Sequence, residues 1–201
     1  MRRHAVIFAL LISLLTAQTA LCADRYEIDP AHTFVTFSID HLVVSKAKGS
    51  FKDVSGVILY DAKDISKSAV EVNIKTASIN TNNDARDKHL RSADFFDAEK
   101  YPEMTFKSKR VEKKGDGFVA VGDLTIHGVT KEVTMPFKLS GPIKDPFGGT
   151  SRVGIEASLK IDRRDFGITW NKTLDAGGLM VGNDVTIEIN VEAAIPKPKS
   201  N

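Results

Sequence analysis

The side chains able to do acid–base or metal chemistry are few and scattered. Beyond His4, histidines stand at positions 32, 41, 89 and 127, and none belongs to an HxH, HxxxH or HExxH pair, the kinds of spacing that set two imidazoles on one metal ion. The single cysteine is Cys22, and the chain has no GxSxG elbow, P-loop or GxGxxG turn. No catalytic residue and no metal ligand is therefore assigned. The densest chemistry lies in Arg86-Asp87-Lys88-His89 with Arg91 behind it, followed three residues on by Phe95-Phe96.

That cluster has two readings. In one it is a solvated helix face with an internal Arg–carboxylate pair. In the other it is a lid: Phe95 and Phe96 plug the end of a β-barrel while Arg86, His89 and Arg91 meet the polar end of whatever lies inside. His41 continues the apolar parity of Val35, Phe37 and Ile39, so it is expected to be a buried polar group needing a partner from protein or ligand. His32, at a strand start after Asp29-Pro30-Ala31, reads as structural. His127 precedes Gly128 and reads as a tight-turn residue, since histidine tolerates positive φ better than most side chains.

The elements that must position these groups are mostly strands. Asn82, Asn83 and Asp84 offer caps for a short helix through Arg91, Ser92 can cap a second turn, and Pro102 forces extended geometry so that a strand begins near Glu103. Elsewhere the pattern has period two. Val35, Phe37 and Ile39 alternate with polar residues, as do Val70, Val72 and Ile74, then Met104 and Phe106, then Val133 to Leu139. The longest runs are Val153, Ile155, Ala157, Leu159 and Ile161, and Val185, Ile187, Ile189 and Val191. Phe51 to Tyr60 reads as one further run with bends at Gly49 and Gly56, and Pro136 marks an edge or a bulge. About eight such strands with no long amphipathic helix to cover them predict an all-β domain, a closed eight-stranded antiparallel barrel with one short helical lid. The alternative is a two-sheet sandwich, because alternation alone does not distinguish closure from stacking.

A closed eight-stranded barrel either fills its lumen with side chains or encloses one ligand. Val, Ile and Ala dominate the dry faces of the long strands, which predicts a long, narrow, apolar cavity. Its candidate lining is Val35, Phe37, Ile39, Val70, Val72, Ile155, Leu159 and Ile187, with Phe95 and Phe96 at the end and Trp170 as a wall, rim or core residue. Candidates for a ligand's polar head are His41, Arg86, His89 and Arg91.

The N-terminus reads as a secretory signal peptide, with basic Arg2 and Arg3 ahead of an apolar run from Ala5 to Leu15 that is too short to span a bilayer. Cleavage is expected after Ala23 or one residue earlier. Thr19-Ala20-Leu21-Cys22 is a poor lipoprotein box, with Thr in place of Leu and bulky Leu21 before the cysteine, so the chain is read as exported without a lipid anchor. Removing Arg2 and Arg3 takes the 28 basic residues to 26, equal to the 26 acidic ones. Interleaved charges that sum to zero argue against a nucleic-acid surface. The organisation expected is a signal peptide over 1–23, one barrel domain over 24–195 and a disordered tail over 196–201.

Several stretches resemble the YceI family in order and spacing. They are Tyr26-Glu27-Ile28-Asp29-Pro30-Ala31-His32, His41-Leu42, Gly49-Ser50-Phe51, Arg86 to Phe96 (RDKHLRSADFF), Tyr101-Pro102, Gly122 to Lys131 (GDLTIHGVTK) and Asp165-Phe166-Gly167. The resemblance runs from Asp24 to about Ala194. It implies a lipocalin-like extended barrel that binds polyisoprenoid or similar long-chain lipids, commonly in the bacterial periplasm. The expectation is therefore a periplasmic carrier with no cofactor beyond a bound isoprenoid lipid or quinone-like amphiphile, with no membrane insertion, and with a homodimer left open. The competing function is a lipid-modifying or metal-dependent enzyme using His and Asp side chains at the barrel mouth. The chain departs from the family at Val43, where many members have glycine in an HLGxS stretch, and a larger residue there bears on the cavity or a strand bend.

Overall fold

The computed structural model describes residues 23–175 and 177–197. The expected signal peptide, apart from Ala23, and residues 198–201 of the expected tail lie outside the described residues, as does Cys22. The strands are β1 Asp24–Ile28, β2 Phe34–His41, β3 Ser45–Phe51, β4 Val54–Tyr60, β5 Ala69–Lys75, β6 Ile79–Asn80, β7 Glu103–Lys114, β8 Gly117–Ile126, β9 Val129–Lys144, β10 Ser151–Asp162 and β11 Val181–Ala194, with one α-helix, α1, at Asp84–Arg91. Among the described residues no helix is long and apolar enough to cross a membrane.

Strands β1, β4, β5, β7, β8, β9, β10 and β11 are hydrogen-bonded in that order, and β11 returns to β1 through Glu27↔Ala194 and Ile28↔Ala193. The sheet is thus closed at eight antiparallel strands, which removes the stacked-sandwich alternative. The other three strands continue members of the ring past a break. β2 follows β1 after the 3₁₀ turn Pro30–His32, β4 follows β3 after Lys52 and Asp53, and β6 follows β5 after the 3₁₀ turn Thr76–Ser78. The continuations pair among themselves, β11 with β2, β2 with β3 and β3 with β6. Backbone groups at the breaks are satisfied across them, Lys52 N donating to Ser78 O (3.2 Å), Lys75 N to Asp53 O (3.0 Å) and Asp29 N to Glu192 O (2.8 Å).

Two sequence expectations are corrected here. The run from Phe51 to Tyr60 is not one strand, because the chain breaks at Lys52-Asp53. Strand β3 was also not expected, since Ser45-Lys46-Ala47-Lys48-Gly49-Ser50 has no apolar alternation. It forms because it pairs with β2, and Gly49 is required opposite Phe37, where a Cβ would lie 2.5 Å from the Phe37 Cζ. Pro136 does mark an edge: the β9–β10 ladder ends at Ala157↔Phe137, and Val129 to Pro136 pair only with β8. Proline has no N–H to extend the ladder.

Candidate functional site

One end of the barrel is closed by α1 and the turns after it. Asn83 caps the helix by accepting from Arg86 N at 2.9 Å, and the helix carries Asp84 and Asp87 in its first turn and Lys88, His89 and Arg91 in its last, as the helix dipole favours, with Arg86 the exception near its start. Eight residues are too few for a helix to persist alone, so the side chains tie it down. Buried Asp87 accepts from Thr81 N (2.8 Å) and Thr81 Oγ1 (2.5 Å). Arg86 donates from Nε to Thr81 Oγ1 (2.8 Å) and from Nη2 to Thr81 O (2.9 Å), and Arg91 donates to Ala77 O and Ile79 O, both at 2.8 Å.

After Arg91 the chain makes turns and no second helix. Ser92 Oγ donates to His89 O, and Phe95 N and Phe96 N donate to Ser92 O and Leu90 O. These turns bury Phe95 at 7% exposure and set Phe96 edge-on to Phe51, with centroids 5.8 Å apart. Phe95 belongs to the main core cluster with Val35, Phe51, Ile79, Met104, Ile126, Phe166 and Ile168.

Inside the ring lies a cavity of about 240 Å³. Its walls run from Tyr60 and Leu139 at one end to Ile161 and Val181 at the other. The β10 residues Ile155 to Ile161 alone cover roughly 20 Å at ~3.3 Å per residue, so the space is a narrow channel. Val35, Phe37, Ile39, Val70, Val72, Ile155, Leu159, Ile187, Phe95 and Phe96 all line it. The period-two pattern found the eight strand residues because parity decides which of their side chains face inward, while Phe95 and Phe96 came from the plug reading.

The remaining sequence candidates lie elsewhere. Trp170 does not line the cavity; its half-buried ring packs over Phe95 and His89, with both centroids at 5.0 Å. His89 Nε2 pairs with Asp94 Oδ2 at 2.8 Å on the outer side of the plug. Arg86 and Arg91 are anchored to backbone carbonyls and are not cavity residues. This corrects the inward-facing reading: Arg86 is exposed and Arg91 half-buried, so the cluster lies on the outer face of the plug, with its guanidinium groups bonded to Thr81, Ala77 and Ile79 and turned away from the cavity. His41 is only half-buried and outside the lining: β2 ends there, opposite a β11 register shift between Val181 and Val185. His127 has φ 52 and its Nδ1 lies 3.2 Å from Phe166 O, consistent with the turn role.

The polar residue that sequence reasoning missed is Arg163. It opens the 3₁₀ turn Arg163–Phe166, is 4% exposed, and is the one charged residue among the described residues that line the cavity. Its Nε donates to Gly182 O and its Nη1 to Ile168 O, both at 2.8 Å, while Nη2 has no partner. Burial lowers its pKa. The one hint in the sequence is that 163 continues the alternation of 155, 157, 159 and 161, although the strand ends at Asp162 and the 3₁₀ turn decides where the side chain goes.

The opposite end is held by Arg152. Its Nε donates to Asp145 Oδ2 (2.7 Å), and its Nη1 to Asp29 Oδ2 (3.0 Å) and Glu192 Oε1 (2.6 Å). Arg152 and the backbone N–H groups of Phe147 and Gly148 hold the Asp145 carboxyl down at about 2. Asp29 is lowered first by its bond with His32 and then by Arg152. Asp29, His32 and Glu192 lie close enough together to hold a cation. Two of the three already accept from Arg152, so a guanidinium charge stands where a metal's would.

A closed eight-stranded antiparallel ring around a narrow apolar cavity, stoppered by a short helix, places the protein among the lipocalin-like barrels. The chain belongs to the family of the YceI-like domain, whose model matches residues 26–193. A UPF0312 protein of Serratia proteamaculans is 47% identical over 186 residues, covering 92% of this chain and 93% of that one. A crystal structure of the Campylobacter jejuni YCEI protein is similar at 38% identity and TM-score 0.66, over 79% of this chain and 90% of that one. A polyisoprenoid binding domain from Saccharophagus degradans, implicated in plant cell wall breakdown, shares the fold at 18% identity and TM-score 0.61, over 87% and 99% of the two chains.

Proposed function

We propose that the protein holds one long-chain amphiphile, a polyisoprenoid or a lipid of similar shape, within the barrel and serves as its carrier or sequestering protein in the periplasm. The continuous apolar lining of the channel carries this reading. A structurally similar barrel described as a polyisoprenoid binding domain supports it. Export is supported by the basic-then-apolar N-terminus.

Energetics set a minimum chain length. Ten buried carbons at ~0.8 kcal/mol each contribute about 8 kcal/mol, which only matches the ~4 to 15 kcal/mol cost of association. Useful affinity thus requires a longer chain. The enzyme alternative is disfavoured by the lining itself. Its polar members are Thr36, Tyr60, Ser68, Thr105 and Arg163, with no carboxylate or imidazole to act as a general base near neutral pH.

The test is native mass spectrometry of protein purified from the periplasm, followed by organic extraction, on the native chain and on Ala157→Phe, which places a ring in mid-channel. A lipid adduct in the first and its loss from a still-folded second is the expected result. Empty native protein that takes up no prenyl lipid would refute the reading, and an unprocessed cytoplasmic product would refute export.

A further inference from the structure

The channel has a chemical polarity, because its one cation lies at the plug end. Arg163 follows Ile161 at the inward parity, one residue past the end of β10, and a purely structural demand for bulk at that position could be met by Leu or Met. The guanidinium is instead buried with two of its nitrogens fixed, Nε on Gly182 O and Nη1 on Ile168 O, and the third without an acceptor. An unpaired buried donor is costly, and more so when charged.

The neighbouring acids do not neutralise it. Asp162 is engaged by Arg164, whose Nη2 lies 2.5 Å from Oδ2 and whose Nε lies 3.0 and 3.1 Å from the two carboxylate oxygens. Asp165 is exposed. Around Arg163 the cavity wall is Phe166, Ile168, Ile161, Val181 and Val185, which offer no side-chain acceptor. The guanidinium is held by two hydrogen bonds and its Nη2 lacks a partner, but that nitrogen is itself covered by the surrounding side chains, so an anion reaches it by displacing them.

We propose that Arg163 Nη2 is the head-group anchor of the cavity, donating to the anionic oxygen of a carboxylate- or phosphate-type head on a lipid whose tail extends towards Tyr60 and Leu139. This rests on the carrier reading and names the ligand class within it. A hydrogen bond from a charged donor to an anion in such a site discriminates by about ten- to a hundredfold in affinity. The tail contributes equally whichever head it bears.

The experiment compares pairs with identical tails: geranylgeranyl phosphate with geranylgeraniol, and palmitate with hexadecanol. Each is titrated into the delipidated native protein and into Arg163→Met. The native protein is expected to prefer each anion over its alcohol by at least tenfold, and R163M to lose that preference by weakening the anions alone. Arg163→Lys should restore part of it. The pair showing the larger preference identifies a phosphate or a carboxylate source. Thermal melting accompanies every titration, and Arg163→Gln carries the same comparison if R163M does not fold. Equal affinity of the native protein for anion and alcohol, or equal weakening of both by R163M, would overturn the anchor while leaving the carrier reading intact. Failure of the native protein to bind any of the four lipids would overturn both.

Discussion

The two ends of the barrel are closed by opposite means. At the Arg152 end the seal is ionic and long-range, joining residues 29, 145, 152 and 192 from β10, β11, the turn after β1 and the loop before β10. At the plug end it is aromatic and local. The rings of Phe95, His89 and Trp170 meet pairwise at 5.0 Å, and the side-chain hydrogen bonds of α1 run to residues 77–94, its own stretch of chain. Backbone strain divides the same way. Leu42, Val43, Asn82, Asp97 and His127, the non-glycine residues with positive φ among those described, all lie at the plug end, whereas Gly115, Gly141 and Gly149 take such angles at the other.

The difference teaches where a guest can pass. Opening the ionic end separates strands of the closed ring, while moving the segment that carries Phe95 breaks apolar contacts and leaves the helix's own hydrogen bonds intact. Strain concentrated where structure must yield is a recurrent feature of functional sites. The plug end is therefore the expected door, and the ionic end the expected hinge-free base.

The sharpest way to break this comparison is Phe95→Ala. Phe95 is nearly buried in the main core cluster, so its loss should cost ~3 to 5 kcal/mol and speed lipid release. Ile65→Ala removes the matching half-buried cavity residue at the base and should cost ~1 to 2 kcal/mol, about half the value for a fully buried site. Urea titration and stopped-flow release of a fluorescent prenyl lipid measure both. Faster release from Ile65→Ala alone would place the door at the base.

Next in size is Asp87→Ala. It leaves the buried Thr81 N–H and hydroxyl without the carboxylate they both donate to, at a cost of ~2 to 4 kcal/mol. If the plug is a local unit, hydrogen exchange should rise across residues 81–97 with little change in β10 and β11. A rise spread evenly over the barrel would show that plug and ring are one cooperative structure.

Acid addresses the base. Asp145 has a folded pKa of about 2 against an ordinary 3.8, so its contribution is fully present above the unfolded value and is lost as pH falls towards 2. Asp29 is lowered as well. Stability should be flat above about pH 5 and fall between about 4 and 2. Asp162 at the plug end, held at about 2 by Arg164, loses its share over the same window, so the base's part is the difference between the native protein and Arg152→Met. Parallel pH curves for the two would mean that Arg152 does not hold the base.

What the sequence made legible follows from periodicity. The strands and their inward side chains were readable because period two fixes sidedness whatever the neighbours are, and the short helix from its caps, whereas closure of the ring rests on the β1–β11 pairing that alternation cannot show. The roles of Arg86 and Arg91 were not readable, since each depends on a carbonyl whose direction is set by the 3₁₀ turn and short β6 ahead of the helix. Trp170 was ambiguous for a like reason: it follows a 3₁₀ turn, where strand parity no longer applies. Arg163 was overlooked because it lies one residue past the end of β10, in the 3₁₀ turn, where a charge looks like the end of a strand.

The smallest effect tests the strain itself. Leu42 and Val43 turn the β2–β3 hairpin with φ of 53 and 64, and Val44 N donates to His41 O at 3.2 Å. Such turns favour Asn-Gly, and a β-branched residue at positive φ is strained. Val43 is 74% exposed, so little burial offsets that cost. Relief of ~1 to 2 kcal/mol on substitution by glycine is opposed by ~0.5 to 1 kcal/mol of chain entropy. The net gain expected from Val43→Gly is thus between about 0 and 1.5 kcal/mol, a rise in Tm of at most roughly 3 to 6 °C. Lipid release should slow in the same variant if strain at this end assists opening. A higher Tm with unchanged release would separate the strain from the door. A lower Tm would show that Val43, which approaches the Gly178 loop, contributes packing that outweighs its backbone cost.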